Sequence, residues 1–192
     1  MPEYSRRLPH FHPENTYLFL TWRLWGSLPA KPQHHRYPTP GHAFAAADRE
    51  LDRLASGPFW LKDTRIAELV SRAVLAGDSQ KRYYDLHAWA IMPNHMHLLI
   101  LPRVPVRTLM KWLKGSTARD ANRILGRTGH RFWQDESFDH YLRRSSQLNR
   151  TAAYIEQNPV SAGFVPDPRQ WPWSSAGWPE HPRWGRLQSA FP

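Results

Sequence analysis

The sequence contains no cysteine. That excludes disulfides, a thiolate nucleophile and thiolate zinc sites, so any metal must sit on histidine, carboxylate or amide ligands. No stretch approaches the roughly 20 continuous apolar residues that a membrane span needs, and the start, Met1 to Arg7, lacks the apolar core of a signal peptide. These absences lead us to expect a soluble, cytoplasmic protein with no membrane partner. Negative charge is scarce: 16 Asp and Glu stand against 26 Lys and Arg, a formal net charge of +10. Such a surplus favours a polyanionic partner through attraction and counterion release, nucleic acid ahead of an anionic membrane surface. There is no GxxxxGK[ST] phosphate loop and no His-Glu-x-x-His helix, which argues against nucleotide-driven chemistry and against a metalloprotease.

What is present fits one compact domain, since 192 residues lie within the reach of a single hydrophobic core. The run from Tyr17 to Leu24 is rich in aromatic and β-branched residues and ends at Gly26 and Pro29, so it reads as a buried strand. Residues 29–42 carry four Pro and read as a loop. Residues 43–54 and 64–75 have helical apolar spacing, split by Gly57-Pro58, and read as one helical layer in two pieces. Residues 83–91 and 95–101 are β-like, joined by turn chemistry at Met92-Pro93-Asn94. A helix over 106–125, a short strand over 138–143 and a helix over 148–158 follow. The last helix is expected to stop near Asn158, because the residue before Pro159 avoids helical angles. The order β-α-β-β-α-β-α predicts an α+β fold with a ferredoxin-like, split β-α-β core and an antiparallel sheet. The expected division is a catalytic domain over 1–165 and a Pro- and Trp-rich tail over 166–192 packed on it.

Four residues stand out for chemistry. His95 and His97 are two apart on a strand, so their side chains share a face and two imidazoles there can hold one ion, although such a pair also arises as ordinary surface histidines. Tyr154 lies off the Leu148-Ala152-Ile155 stripe of the last helix, and Asn158, four residues on, is its neighbour. A tyrosine nucleophile needs its hydroxyl near a cation that polarises the phosphate under attack, and an amide oxygen one turn later could complete that cation's shell. The plainer reading is a tyrosine at a core edge. Gln157 is an alternative ligand to Asn158.

Together, Ala90-Ile91-Met92-Pro93-Asn94-His95-Met96-His97-Leu98-Leu99 and Tyr154-Ile155-Glu156-Gln157-Asn158-Pro159-Val160-Ser161-Ala162-Gly163 resemble the REP-associated tyrosine transposases, of the IS200-like single-tyrosine HUH superfamily. Arg23 to Pro29, Phe132-Trp133-Gln134 and Trp171 to Ser175 extend the resemblance along most of the chain. It implies His95 and His97 as a metal pair, Asn158 as the polar residue completing the metal site, and Tyr154 as nucleophile on a ferredoxin-like core. It also implies cleavage of single-stranded DNA at hairpin sequences through a 5′-phosphotyrosine intermediate. A divalent ion, Mg²⁺ or Mn²⁺, suits a mixed nitrogen and oxygen site for phosphate chemistry.

For the DNA, Arg107, Lys111, Lys114, Arg119 and Arg123 recur at spacings that set a row of cations along the solvent side of one helix, a pattern that is also common on plain solvated faces. Arg143 and Arg144, just before the Tyr154 helix, are better placed for phosphates near the site. The competing expectation is a domesticated, catalytically inactive hairpin-binding protein with the same fold. A His-ligated metallohydrolase or an RNA-binding ferredoxin-like domain has less support. Assembly as monomer or homodimer stays open, as does use of Tyr154 within its own subunit or on a partner's site.

Overall fold

A computed structural model describes residues 16–27, 46, 48–53, 57–142 and 145–177. Four strands, β1 (Leu18–Arg23), β2 (Tyr84–Ile91), β3 (His95–Pro102) and β4 (Phe138–Tyr141), form one antiparallel sheet in the order β2-β3-β1-β4. Three helices accompany it: α1 (Thr64–Ser79), α2 (Val106–Ile124) and α3 (Ser145–Ser161). With β1 and β3 central and antiparallel, this is the split β-α-β arrangement expected from the sequence. Among the described residues no helix is long and apolar enough to cross a membrane.

The two-residue period of the strands divides the core. Leu18, Leu20 and Trp22 of β1, with Leu24 just beyond it, join Met96, Leu98 and Ile100 of β3 on one face, beneath α1 and α2. Phe19 and Leu99 point the other way and meet Leu148 and Ile155 of α3. The seventh element is thus the cover of the face that the first two helices leave bare. His95 and His97 belong by alternation to that second face, under α3.

Two expectations are corrected. Helix α3 does not stop at Asn158 but carries Pro159 inside it and runs to Ser161. A proline near the end of a helix forfeits only its own amide bond, and the chain closes behind it with Ala162 N–H to the Asn158 carbonyl at 2.9 Å and Phe164 N–H to the Pro159 carbonyl at 2.9 Å. The stop is set by Gly163, whose φ of +77° is the left-handed conformation that ends helices. The second correction concerns the helical pieces on either side of Gly57. Residues 48–52 are helical, but Asp48 reaches His95, His97 and α3, across the sheet from α1. The break at Gly57 permits this: its φ is +96°, and a Cβ there would lie 2.5 Å from the Ser27 Cα. The Pro-rich loop expected over 29–42 lies outside the described residues.

Past α3 the chain returns to the sheet edge. The Ile91 N–H donates to the Trp173 carbonyl at 2.8 Å and the Trp171 indole N–H to the Ile91 carbonyl at 3.0 Å. The Trp89 N–H donates to Ser175 Oγ at 3.1 Å, and that hydroxyl lies 2.8 Å from Glu156 Oε1. These bonds tie the segment to both β2 and α3.

Candidate active site

His95 and His97 are fully buried, and their partners fix which ring nitrogen is free. Asn94 donates its amide N–H to the Leu51 carbonyl at 2.9 Å, so its oxygen faces His95 Nδ1 at 2.7 Å. His95 Nδ1 must therefore carry the proton, and Nε2 is left with a lone pair. His97 Nδ1 lies 2.8 Å from Thr21 Oγ1, directly across the β1–β3 ladder. A hydroxyl can donate or accept, so Thr21 serves either tautomer of His97. The two Nε2 atoms are 3.1 Å apart.

Asp48 closes the third side. Its Oδ1 lies 3.5 Å from His95 Nε2 and 3.5 Å from His97 Nε2, and this buried oxygen has no hydrogen-bond partner. Asp48, His95 and His97 present ligand atoms all within 4.8 Å of one another. Asn158, 3% exposed, donates to Asp48 Oδ2 at 3.3 Å while its own Oδ1 is buried without a partner. Buried acceptors are normally satisfied, so these orphaned oxygens beside facing imidazole lone pairs fit a divalent cation, with nitrogen and oxygen donors of the kind Mn²⁺ accepts. Asp52, one helical turn after Asp48, has its buried, unpartnered Oδ1 3.9 Å from His95 Nε2.

Electrostatics agree with ligation. Burial, the neighbouring His97 and, against them, Asp48 set the His95 imidazole at about 3, and burial likewise lowers His97 against the pull of Asp48, so both stay neutral as metal ligands must be. Burial alone would raise the Asp48 carboxyl, but His97 and His95, with hydrogen bonds from Tyr154 and Asn158, hold it below the ordinary carboxylate range. Burial first, and the nearby Asp48 carboxylate second, raise Asp52 to about 7.

Tyr154 donates its hydroxyl to Asp48 Oδ2. Its ring meets Phe19 edge-on at 6.1 Å and His97 at 6.0 Å, yet the residue is 40% exposed. Helix α3 thus sends Leu148 and Ile155 into the sheet and Tyr154 and Asn158, one turn apart, to the same carboxylate. Burial and then Asp48 push the phenol well above its ordinary range, so the hydroxyl is neutral in this state. Gln157, the alternative ligand, faces solvent.

Among the described residues, the expected cations of α2 do not converge here. Helix α2 packs on the face opposite the His pair, and Arg107 and Lys111 are exposed there. Arg119 and Arg123 are exposed but each lies 3.2 Å from Asp120. Lys114 leaves the expected solvent row: its ammonium donates to the Gln134 and Asp135 carbonyls at 2.5 and 3.0 Å, because the chain after α2 folds back over it. Arg143 and Arg144 lie outside the described residues. Asp48 is the residue that sequence reasoning missed. Its one signal was a carboxylate in a helical stretch, and nothing local ties it to histidines 47 and 49 positions away.

Comparison with known proteins bears on the fold and the family. A solved structure of a REP-associated tyrosine transposase bound to a REP hairpin superposes with a TM-score of 0.57 at 20% identity, covering 91% of this chain and 82% of that one, and shares its fold. The REP-associated tyrosine transposase of Escherichia coli (strain K12) is 26% identical over 95 residues, 49% of this chain and 55% of that protein, so the chain spans about half the length of this curated relative. The sequence model of the family described as "Transposase IS200 like" matches residues 62–158, which include both histidines, Tyr154 and Asn158. With a match over half its length, the chain belongs to the IS200-like transposase family.

Proposed function

We propose that the chain is a metal-dependent, single-tyrosine endonuclease and strand-transferase acting on single-stranded DNA that folds into hairpins. The observation that carries this is the Asp48 carboxylate, which joins the Tyr154 hydroxyl on one oxygen to the His95–His97 pair on the other. A nucleophile and a cation site that share one buried side chain suit an attack on a phosphate. The hairpin class is carried over from the similar structure, whose REP hairpin is its own ligand.

In this reading His95, His97 and Asp48 would hold the ion and Asn158 Oδ1 would add a further donor, while Asn94 and Thr21 fix the ring orientations. A bound Mn²⁺ or Mg²⁺ would supply Lewis-acid polarisation of the scissile phosphate. The Tyr154 oxygen forms a bond to phosphorus as the bond to the 3′ oxygen breaks. The tyrosine proton is lost and the 3′ oxygen gains one, so the products are a free 3′ hydroxyl and a 5′-phosphotyrosine. Because the new ester keeps the bond energy, attack by a 3′ hydroxyl reverses the step and rejoins a strand without a nucleotide cofactor. Asp48 Oδ2 sets the direction of the hydroxyl beforehand. Phe19 and His97 hold the ring from two sides.

Arg143 and Arg144, directly before α3 in sequence, are our choice for phosphate contacts near Tyr154. Arg107 and Lys111 are left for remote, non-specific contacts, with Arg119 and Arg123 weakened by Asp120. Residues 1–165 form the catalytic domain and 166–192 the tail in this assignment, supported by the bonds of 171–175 to β2. The test is a denaturing gel with labelled hairpin DNA. We expect a slow-migrating covalent band with Mn²⁺ or Mg²⁺ that vanishes with chelator and in Tyr154→Phe. Tight hairpin binding with no band under any ion would instead support a catalytically silent binding protein.

A further inference from the structure

The helical stretch at residues 48–52 turns two carboxylates toward the histidines and its other charges outward. Arg49 and Arg53 are exposed, and the Arg53 guanidinium pairs with Glu50 at 3.1 Å on the outer side. Asp48 and Asp52, one turn apart, share the inner side. The Asp52 side chain is 17% exposed, yet its Oδ1 is buried without a hydrogen-bond partner, 3.9 Å from His95 Nε2. Between the two, the Leu51 carbonyl accepts from the Asn94 amide that orients the His95 ring. A single helical turn therefore contributes two carboxylates to the site and anchors one of its imidazoles.

Charge and distance both bear on Asp52. Among the described residues, the ion pairs of Asp48 and Asp52 run only to His95 and His97, and burial keeps both imidazoles neutral. Buried carboxylates without a counter-charge are costly, and two of them balance one divalent cation. Donors about 2.1 Å from one small divalent ion lie about 3.0 Å apart at right angles and at most about 4.2 Å apart on opposite sides. The two Nε2 atoms, 3.1 Å apart, and Asp48 Oδ1, 3.5 Å from each, fall toward the first value. Asp52 Oδ1, at 3.9 Å from His95 Nε2, stays inside the second. Asn158 Oδ1, buried and unpartnered on the α3 side, is an independent sign that a ligand belongs between them. Two imidazoles alone suit Zn²⁺ or Ni²⁺, whereas each added carboxylate moves the preference toward Mn²⁺ and Mg²⁺.

We propose that Asp52 is a second carboxylate ligand of this site and sets its preference for a hard divalent cation, Mn²⁺ or Mg²⁺, over Zn²⁺. The inference rests on the metal site of the nuclease reading, but its test is ion binding by the full chain, without DNA or cleavage. Calorimetric titration with Mn²⁺, and separately with Zn²⁺, compares the wild type with Asp52→Asn, which keeps the shape and removes the charge. Mn²⁺ affinity should fall by about 10- to 100-fold. Zn²⁺ affinity should fall by less, because imidazole nitrogen carries more of the hold on that softer ion. Thermal melts separate this role from a structural one. In chelator Asp52→Asn should melt no lower than the wild type, since it relieves a like-charge contact with Asp48, while the rise on adding Mn²⁺ should shrink. A residue that only props the fold would lower the melting temperature in chelator and leave the Mn²⁺-induced rise intact. Asp52→Ser, a smaller side chain at this partly exposed position, carries the same test if Asp52→Asn fails to fold. Wild-type binding of Mn²⁺ with unchanged affinity in the folded variants would overturn the inference and leave the nuclease reading standing, as would equal losses for Mn²⁺ and Zn²⁺ for the claim of preference. No divalent binding by the wild type at all would sink the metal-dependent reading together with it.

Discussion

At the scale of single residues the proposed function turns on Asp48, whose two oxygens face the Tyr154 hydroxyl and the His95–His97 pair. Replacing it by Asn keeps an acceptor for Tyr154 but removes the charge that balances a cation. Asp48→Asn should therefore lower Mn²⁺ affinity by more than the roughly 10- to 100-fold that loss of an outer partner costs, while Asn94→Ala and Thr21→Val should fall within that range. Calorimetric titration of the three variants orders them; equal affinities throughout would remove Asp48 from the site. The histidines were legible because strand alternation puts residues two apart on one face. Tyr154 and Asn158 were legible because one helical turn separates them. Asp48 was not, since its partnership is made by folding across 47 residues and leaves no periodic trace.

At the scale of elements, hydrophobic patterning identified the four strands and the helices α1, α2 and α3 but not the short 3-10 turns at 60–62, 168–170 and 175–177, and it erred where local rules meet tertiary packing. Pro159 was expected to end α3 near Asn158, but the helix runs three residues on to Ser161 and ends before the left-handed Gly163. The cations of α2 were placed by spacing alone, which cannot foresee that the segment after α2 returns to cover Lys114. Burial, opposed by Asp135, takes the Lys114 ammonium down to about 8. Its folded value lies below its unfolded one, so below pH 8 both states carry the proton and the burial cost is fully present. Between pH 8 and about 10.5 the unfolded chain holds the proton longer, and stability rises with pH. Relative to Lys114→Met, the wild type should gain about 1 to 2 kcal/mol over that window, after allowance for solvent screening. Denaturant melts of both proteins across the window check this, and parallel curves would show that the ammonium is not desolvated.

At the scale of the whole molecule, the sheet separates two jobs. One face is a packed core under α1 and α2. The other carries the histidines beneath a helix that brings its own tyrosine to them. Because Tyr154, Asp48 and the histidines meet within one chain, we propose that the site works within a single subunit. Mixing Tyr154→Phe with His97→Ala should then restore no cleavage; recovery to a substantial fraction of wild-type activity would mean that the tyrosine serves a partner. The sequence offers one weak signal on this point, the short connection from Arg143 to Gln147, which favours docking of α3 on its own core.

The most direct measurement is peptide mapping of the covalent product formed by the wild type, hairpin DNA and Mn²⁺. Trypsin should release residues 151–169, and the account predicts that the DNA-derived mass sits on Tyr154 of that peptide and is absent from Tyr154→Phe. A nucleotide mass on another tyrosine, or cleavage with no covalent mass on any peptide, would contradict it.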